Sequence, residues 1–99
     1  MTPGTERRTK TELPSFERLM LPVLALLGQR YEEISVGALE DELVNTLKIS
    51  GEDRARMLPS GAQTVLTNRL NWARAYLLRA GLIELPRRGH CRITARGRK

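Results

Sequence analysis

Cysteine is nearly absent from this 99-residue chain. Cys91 stands alone, so no intramolecular disulfide can form, and a reducing cytosolic setting is expected over a secreted one. Aromatic residues are scarce as well, with one Phe, one Trp and two Tyr. With so few rings, and no basic amphipathic helix whose apolar face is free of other duties, binding to an anionic membrane is not expected. The longest apolar stretch, Leu19 to Leu27, is about half of what spans a bilayer, and residues 1–14 hold no apolar signal-like region. A soluble, cytoplasmic protein follows as the expectation. Catalytic groupings are missing too: no Ser/His/Asp or Cys/His set, no glycine-rich phosphate loop and no paired carboxylates beside a nucleophile. His90 adjoins Cys91, and neighbours on a strand point to opposite faces, so the pair makes no metal site. Neither enzyme activity nor a cofactor is expected of these residues. The length allows one domain with one core.

What the chain does have is charge, unevenly spread. Seventeen Lys and Arg against eleven Asp and Glu give a net +6. Residues 1–30 sum to +2, residues 31–53 to −6 and residues 54–99 to +10. A chain this polarised presents a positive face, and a long polyanion such as double-stranded DNA is the partner that suits it.

Residues 1–14 are polar, with Arg7, Arg8 and Lys10, and read as a flexible basic arm. From Ser15 the pattern turns helical: Phe16, Leu19, Met20, Val23 and Leu27 recur every three or four residues. Pro22 lies inside that stripe, so the helix either starts near Leu19 or is kinked; Gly28 ends it. Ile34 is in a short extended stretch. Ser35 then caps a second helix with Val36, Leu39, Leu43 and Leu47 inward and the acidic run Glu40, Asp41 and Glu42 on a face turned away from DNA. Ser50 caps a brief third segment, Gly51 to Leu58, with Glu52 and Asp53 in its first turn, and Pro59-Ser60-Gly61 breaks it.

The longest periodic segment runs from Ala62 to Ala80. At about 100° per residue, Leu66, Leu70, Ala73, Leu77 and Ala80 fall within about 40° of one line, the core side. Trp72 flanks that arc and is read as packing, since one large ring suits the centre of a small domain. Arg69 also lies beside the arc and either pairs with a carboxylate of the second helix or meets DNA. The opposite arc carries Thr64, Thr67, Asn68, Asn71 and Arg74 with no carboxylate, a set suited to base edges and phosphates. Ser60, Gly61 and Gln63 ahead of this helix serve equally as capping groups or as phosphate donors.

Gly81 closes the long helix, and Leu82–Leu85 and Cys91–Thr94 read as two strands joined by 86–90. Ile83, Leu85, Cys91 and Ile93 form the inward side of this hairpin, and Arg87, Arg88, His90 and Arg92 give it a basic tip. Helix, short strand, helix, helical segment, long helix and hairpin is the order of a winged helix-turn-helix. The expected fold is mainly α with a small β-hairpin, spanning 15–97 between the arm and a basic tail at 98–99. In this arrangement the long helix enters the major groove and the wing meets the backbone.

Leu58-Pro59-Ser60-Gly61, Asn68-Arg69, Trp72-Ala73, Leu77, Ala80-Gly81-Leu82, Arg88-Gly89 and Ile93-Thr94, with Leu21-Pro22-Val23-Leu24 upstream, resemble the N-terminal domain of Mrr-type restriction endonucleases. The resemblance covers roughly residues 14–97. It implies a winged-helix module that binds DNA and precedes a separate nuclease domain acting on modified, typically methylated, foreign DNA. The nuclease motif of that family (Asp, then Glu or Gln, x, Lys) has no counterpart here, so cleavage is not expected of these residues, whether they are a fragment of a longer endonuclease or a standalone relative. A second reading keeps the fold and changes the partner, with the same surfaces docking a nuclease domain or a second copy as a homodimer.

Overall fold

In the computed structural model, which describes residues 13–30 and 32–98, a serine or threonine hydroxyl opens each described helix. Ser15, Ser35, Ser50 and Thr64 each accept a hydrogen bond from the backbone N–H three residues on, satisfying a donor that the first helical turn leaves without a partner. The helices so started are α1 (Phe16–Gly28), α2 (Val36–Leu47), α3 (Gly51–Arg54) and α4 (Val65–Arg79). The strands are β1 (Ile34–Ser35), β2 (Ile83–Glu84) and β3 (His90–Ile93).

Helix α1 runs through Pro22 rather than starting at Leu19. The Ser15 cap and the burial of Leu19, Val23, Leu26 and Leu27 outweigh the one hydrogen bond that proline removes. Helix α3 is only four residues long, against the longer segment expected from its sequence. Beyond it, Met57 bridges Thr64, Leu58 N–H donates to Gln63 O (3.0 Å) and Val65 N–H donates to Arg56 O (2.8 Å). This tight loop uses backbone that a helix would need, and it moves the start of α4 from Ala62 to Val65. Gly81, at φ +78°, ends α4: its N–H donates to Leu78 O and Leu82 N–H to Leu77 O, both at 3.0 Å.

The wing is a three-stranded antiparallel sheet in the order β1-β3-β2, where the sequence suggested two strands. Ile34 pairs with Cys91 and Ile83 with Ile93, so β3 is central and all four side chains are buried in the core. Leu85 departs from expectation, because β2 stops at Glu84 and leaves it 43% exposed. The core joins Leu19, Val23, Leu26 and Leu27 of α1, Leu39 and Leu43 of α2, and Leu66, Leu70, Ala73 and Leu77 of α4 with these strand residues. Ala80, placed on the core side by the wheel, is exposed past the last turn. This mainly helical chain with a small sheet is compatible with a winged helix. Among the described residues no helix is long and apolar enough to cross a membrane. The first twelve residues of the sequence-derived arm lie outside the described residues.

After β3 the chain is laced back onto the molecule. Thr94 Oγ1 donates to Gly81 O (2.7 Å) and accepts from Gly97 N–H (3.1 Å), while Arg98 donates to the carbonyls of Gly28 (3.0 Å) and Arg30 (2.7 Å).

Candidate nucleic-acid interface

Helix α4 turns the line of Leu66, Leu70, Ala73 and Leu77 into the core, which leaves its other side to solvent and to its two neighbours. On one flank the α4 side chains are held by internal contacts. Thr64 caps the helix and its hydroxyl donates to Thr67 Oγ1 (2.9 Å); the Thr67 hydroxyl donates to Glu40 Oε1 (2.7 Å). The other Glu40 oxygen accepts from Arg54 Nε (3.2 Å), and Arg54 also pairs with Asp41 (2.6 Å). The Asp41 bond, with Glu40 beside it, holds the Arg54 guanidinium above its ordinary pKa. The acidic face of α2 is therefore not wholly turned away from the expected DNA side: Glu40 reaches the first turn of α4.

Further along, Arg74 Nη1 donates to Asn71 Oδ1 (2.7 Å), and Asn71 Nδ2 lies 3.5 Å from Gln63 Oε1. Arg74 Nε is buried without a hydrogen bond, and the guanidinium faces the Cys91 thiol. Burial raises the pKa of that thiol, and Arg74 offsets part of the rise. Asn71, Arg74, Ala75, Leu78 and Leu85 line a cleft of about 170 Å³ between α4 and the wing. The Asn68 side chain has no hydrogen-bond partner among the described residues.

On the wing, Arg87 pairs with Glu33 (3.2 Å) and Arg92 with its cross-strand neighbour Glu84 (2.7 Å). Both pairs lie at the surface, partly exposed to solvent, and are worth about 0–1 kcal/mol each. His90 Nδ1 lies 3.0 Å from Arg88 O, and Nε2 has no hydrogen-bond partner among the described residues. The Arg88 guanidinium is exposed with no partner among the described residues. The sequence-derived set thus falls into two groups. Asn68, Arg88 and His90 can meet a ligand directly, whereas Thr64, Thr67, Asn71, Arg74, Arg87 and Arg92 must share or give up an internal contact.

The opposite flank of α4 corrects the sequence reading. Trp72 does not fill the core; it is 53% exposed, tilted against Tyr76 at 6.5 Å between ring centroids, and Tyr76 stacks on Phe16 at 5.1 Å. Leucines of α1, α2 and α4, with isoleucines of the three strands, already occupy the centre, so the ring is left outside. Arg79 lies over the Tyr76 ring at 5.8 Å. Among the described residues Arg69 meets no carboxylate and instead donates to the carbonyls of Leu13 (2.8 Å) and Pro14 (3.2 Å), pinning the chain entering α1 to α4. The angular position of Trp72, well off the core line, was the one sequence signal for its exposure. No group of three or more His, Cys, Asp or Glu among the described residues could hold a metal ion.

Comparison with known proteins adds two findings. The family description "Mrr N-terminal domain" matches residues 16–99. The chain is also similar to the type IV methyl-directed restriction enzyme EcoKMrr of Escherichia coli (strain K12), at 31% identity over 85 residues, which is 86% of this chain and 28% of that protein. The chain therefore spans well under a third of the length of this curated relative. No solved structure gives a significant match.

Proposed function

From the premise that this chain belongs to the Mrr N-terminal domain family, we propose that it is a winged-helix module that binds double-stranded DNA for a restriction system directed at modified DNA. Helix α4 lies in the major groove and the 85–89 wing loop meets the phosphate backbone. One observation carries the reading: α4 and the 85–89 loop, with His90 next to it at the start of β3, present amides, a histidine and arginines, and the described side chains of α4 and the loop include no carboxylate. An ordinary surface helix mixes acids with bases; a phosphate-facing one does not. Arg88 and His90 hold the backbone and Asn68 and Asn71 read base edges, while Arg87 and Arg92 exchange Glu33 and Glu84 for phosphates. Thr64, Thr67 and Arg74 set the pitch of the helix and the orientation of Asn71.

The cleft walled by Leu78 and Leu85 favours a second reading, in which this surface docks a nuclease domain or a second copy of the chain.

Fluorescence anisotropy with one duplex, methylated and unmethylated, across a salt series separates the two. Engagement of about four phosphates lowers affinity on the order of a hundredfold between 50 and 200 mM salt, whereas an apolar protein interface responds weakly. A steep slope with equal affinities establishes a backbone-dominated module. A preference for the methylated duplex locates methyl sensing in α4 or the wing, and no binding at low salt overturns the DNA reading.

A further inference from the structure

We propose that Trp72 is a DNA-contacting residue, its indole N–H donating to a backbone phosphate on the wall of the major groove; this rests on the DNA reading above. A tryptophan on a small domain with an apolar core is ordinarily buried, and this one is 53% exposed. The Phe16–Tyr76–Trp72 ring series runs from α1 across to the outer side of α4 and gives the indole a packed neighbour in Tyr76. Indole nitrogen is a donor only, and here it has no partner among the described residues. A donor-only, uncharged group suits an acceptor-only ligand such as a phosphate oxygen.

The helix geometry places that acceptor. Ala75 lies directly opposite the core line of α4, and Trp72 stands about 60° round from it, at 100° per residue. An α-helix of about 10–12 Å diameter nearly fills a major groove about 12 Å wide. Residues on the outermost line therefore face base edges, and those about 60° to either side face the sugar-phosphate walls. The wing serves one wall; Trp72 serves the other. Arg79 is one turn from Tyr76 on the same flank, and α4 carries no carboxylate to repel the strand.

Trp72 is the sole tryptophan, so its own fluorescence reports the contact. The full chain is titrated with a dye-labelled duplex at low salt, following tryptophan emission and dye anisotropy together. Emission is expected to change with the same midpoint as the anisotropy. Trp72→Phe, which keeps a ring and loses the N–H, is expected to bind about tenfold more weakly, the worth of one hydrogen bond to a charged group. Its salt slope stays unchanged, because no cation has been removed. Circular dichroism of the variant confirms the fold. Rising anisotropy with static emission, or full affinity in Trp72→Phe, overturns the contact and leaves the DNA reading standing. Absence of DNA binding at low salt overturns both. Emission that shifts with protein concentration without DNA assigns the ring to a contact between copies and likewise overturns the proposal.

Discussion

Gly97→Ala tests how the C-terminal turn supports the wing. A β-carbon at residue 97 would lie inside the van der Waals surface of the Leu82 carbonyl oxygen, 2.8 Å from Ile93 Cγ1 and 3.1 Å from the Leu82 carbonyl carbon. The oxygen cannot step aside freely, because it accepts from Thr94 N–H at 3.0 Å. Either the start of β2 shifts and weakens that bond, or the turn lifts away and loses the Gly97–Thr94 bond and the two bonds from Arg98 to the end of α1. Overpacking costs roughly 1–3 kcal/mol. Each lost hydrogen bond adds about 0.5–1.5 kcal/mol. The expected loss is about 2–4 kcal/mol, a large part of the roughly 5–15 kcal/mol that holds a domain of this size. Urea unfolding followed by circular dichroism measures it, and the melting temperature falls by roughly 10–25 °C. Gly37→Ala is the control: nothing lies within 4 Å of its β-carbon inside α2, so it gains about 0.5–1 kcal/mol from helix propensity. A Gly97→Ala protein within about 0.5 kcal/mol of the parent would refute the reasoning.

Three further outcomes are expected. Arg88→Ala weakens binding to all duplexes alike and lowers the salt slope by about one; an unchanged slope removes Arg88 from the backbone contacts. Asn68→Ala changes discrimination between duplex sequences, costing about 1–3 kcal/mol at the preferred site and little elsewhere, as competition binding reports; a uniform loss removes it from base readout. Burial holds the Cys91 thiol above its ordinary pKa, so the unfolded chain gives up that proton first and the thiol's contribution to stability falls as pH rises past about 8.5. Urea unfolding between pH 7 and 9.5 shows the decline, and a Cys91→Ala protein with the same pH slope refutes the assignment.

Much of the fold was legible in the sequence because its signals are local. A hydroxyl before an apolar stripe starts a helix by satisfying a nearby donor, and Ser15, Ser35 and Ser50 needed no tertiary partner to be read. Gly81 was legible for the same reason, since its left-handed backbone is a property of one residue. The three- and four-residue spacing likewise identified Leu39, Leu43, Leu66, Leu70, Ala73 and Leu77 as core. The charge division between residues 31–53 and 54–99 is a property of sequence alone.

Tertiary structure decided what depends on distant partners. Pairing of Ile34 with Cys91, 57 positions apart, turned a hairpin into a three-stranded sheet. Competition for the core left Trp72 outside, because the wheel gives its angle and not whether another helix covers it. Above all, the sequence counts the cations of residues 54–99 without saying which are engaged. Arg54 meets Glu40 and Asp41, Arg69 two carbonyls, Arg87 Glu33 and Arg92 Glu84, while Arg88 projects without a described partner. Charge is additive along a chain, but its availability to a ligand is set by the nearest carboxylate or carbonyl in space, and only the folded arrangement fixes that distance.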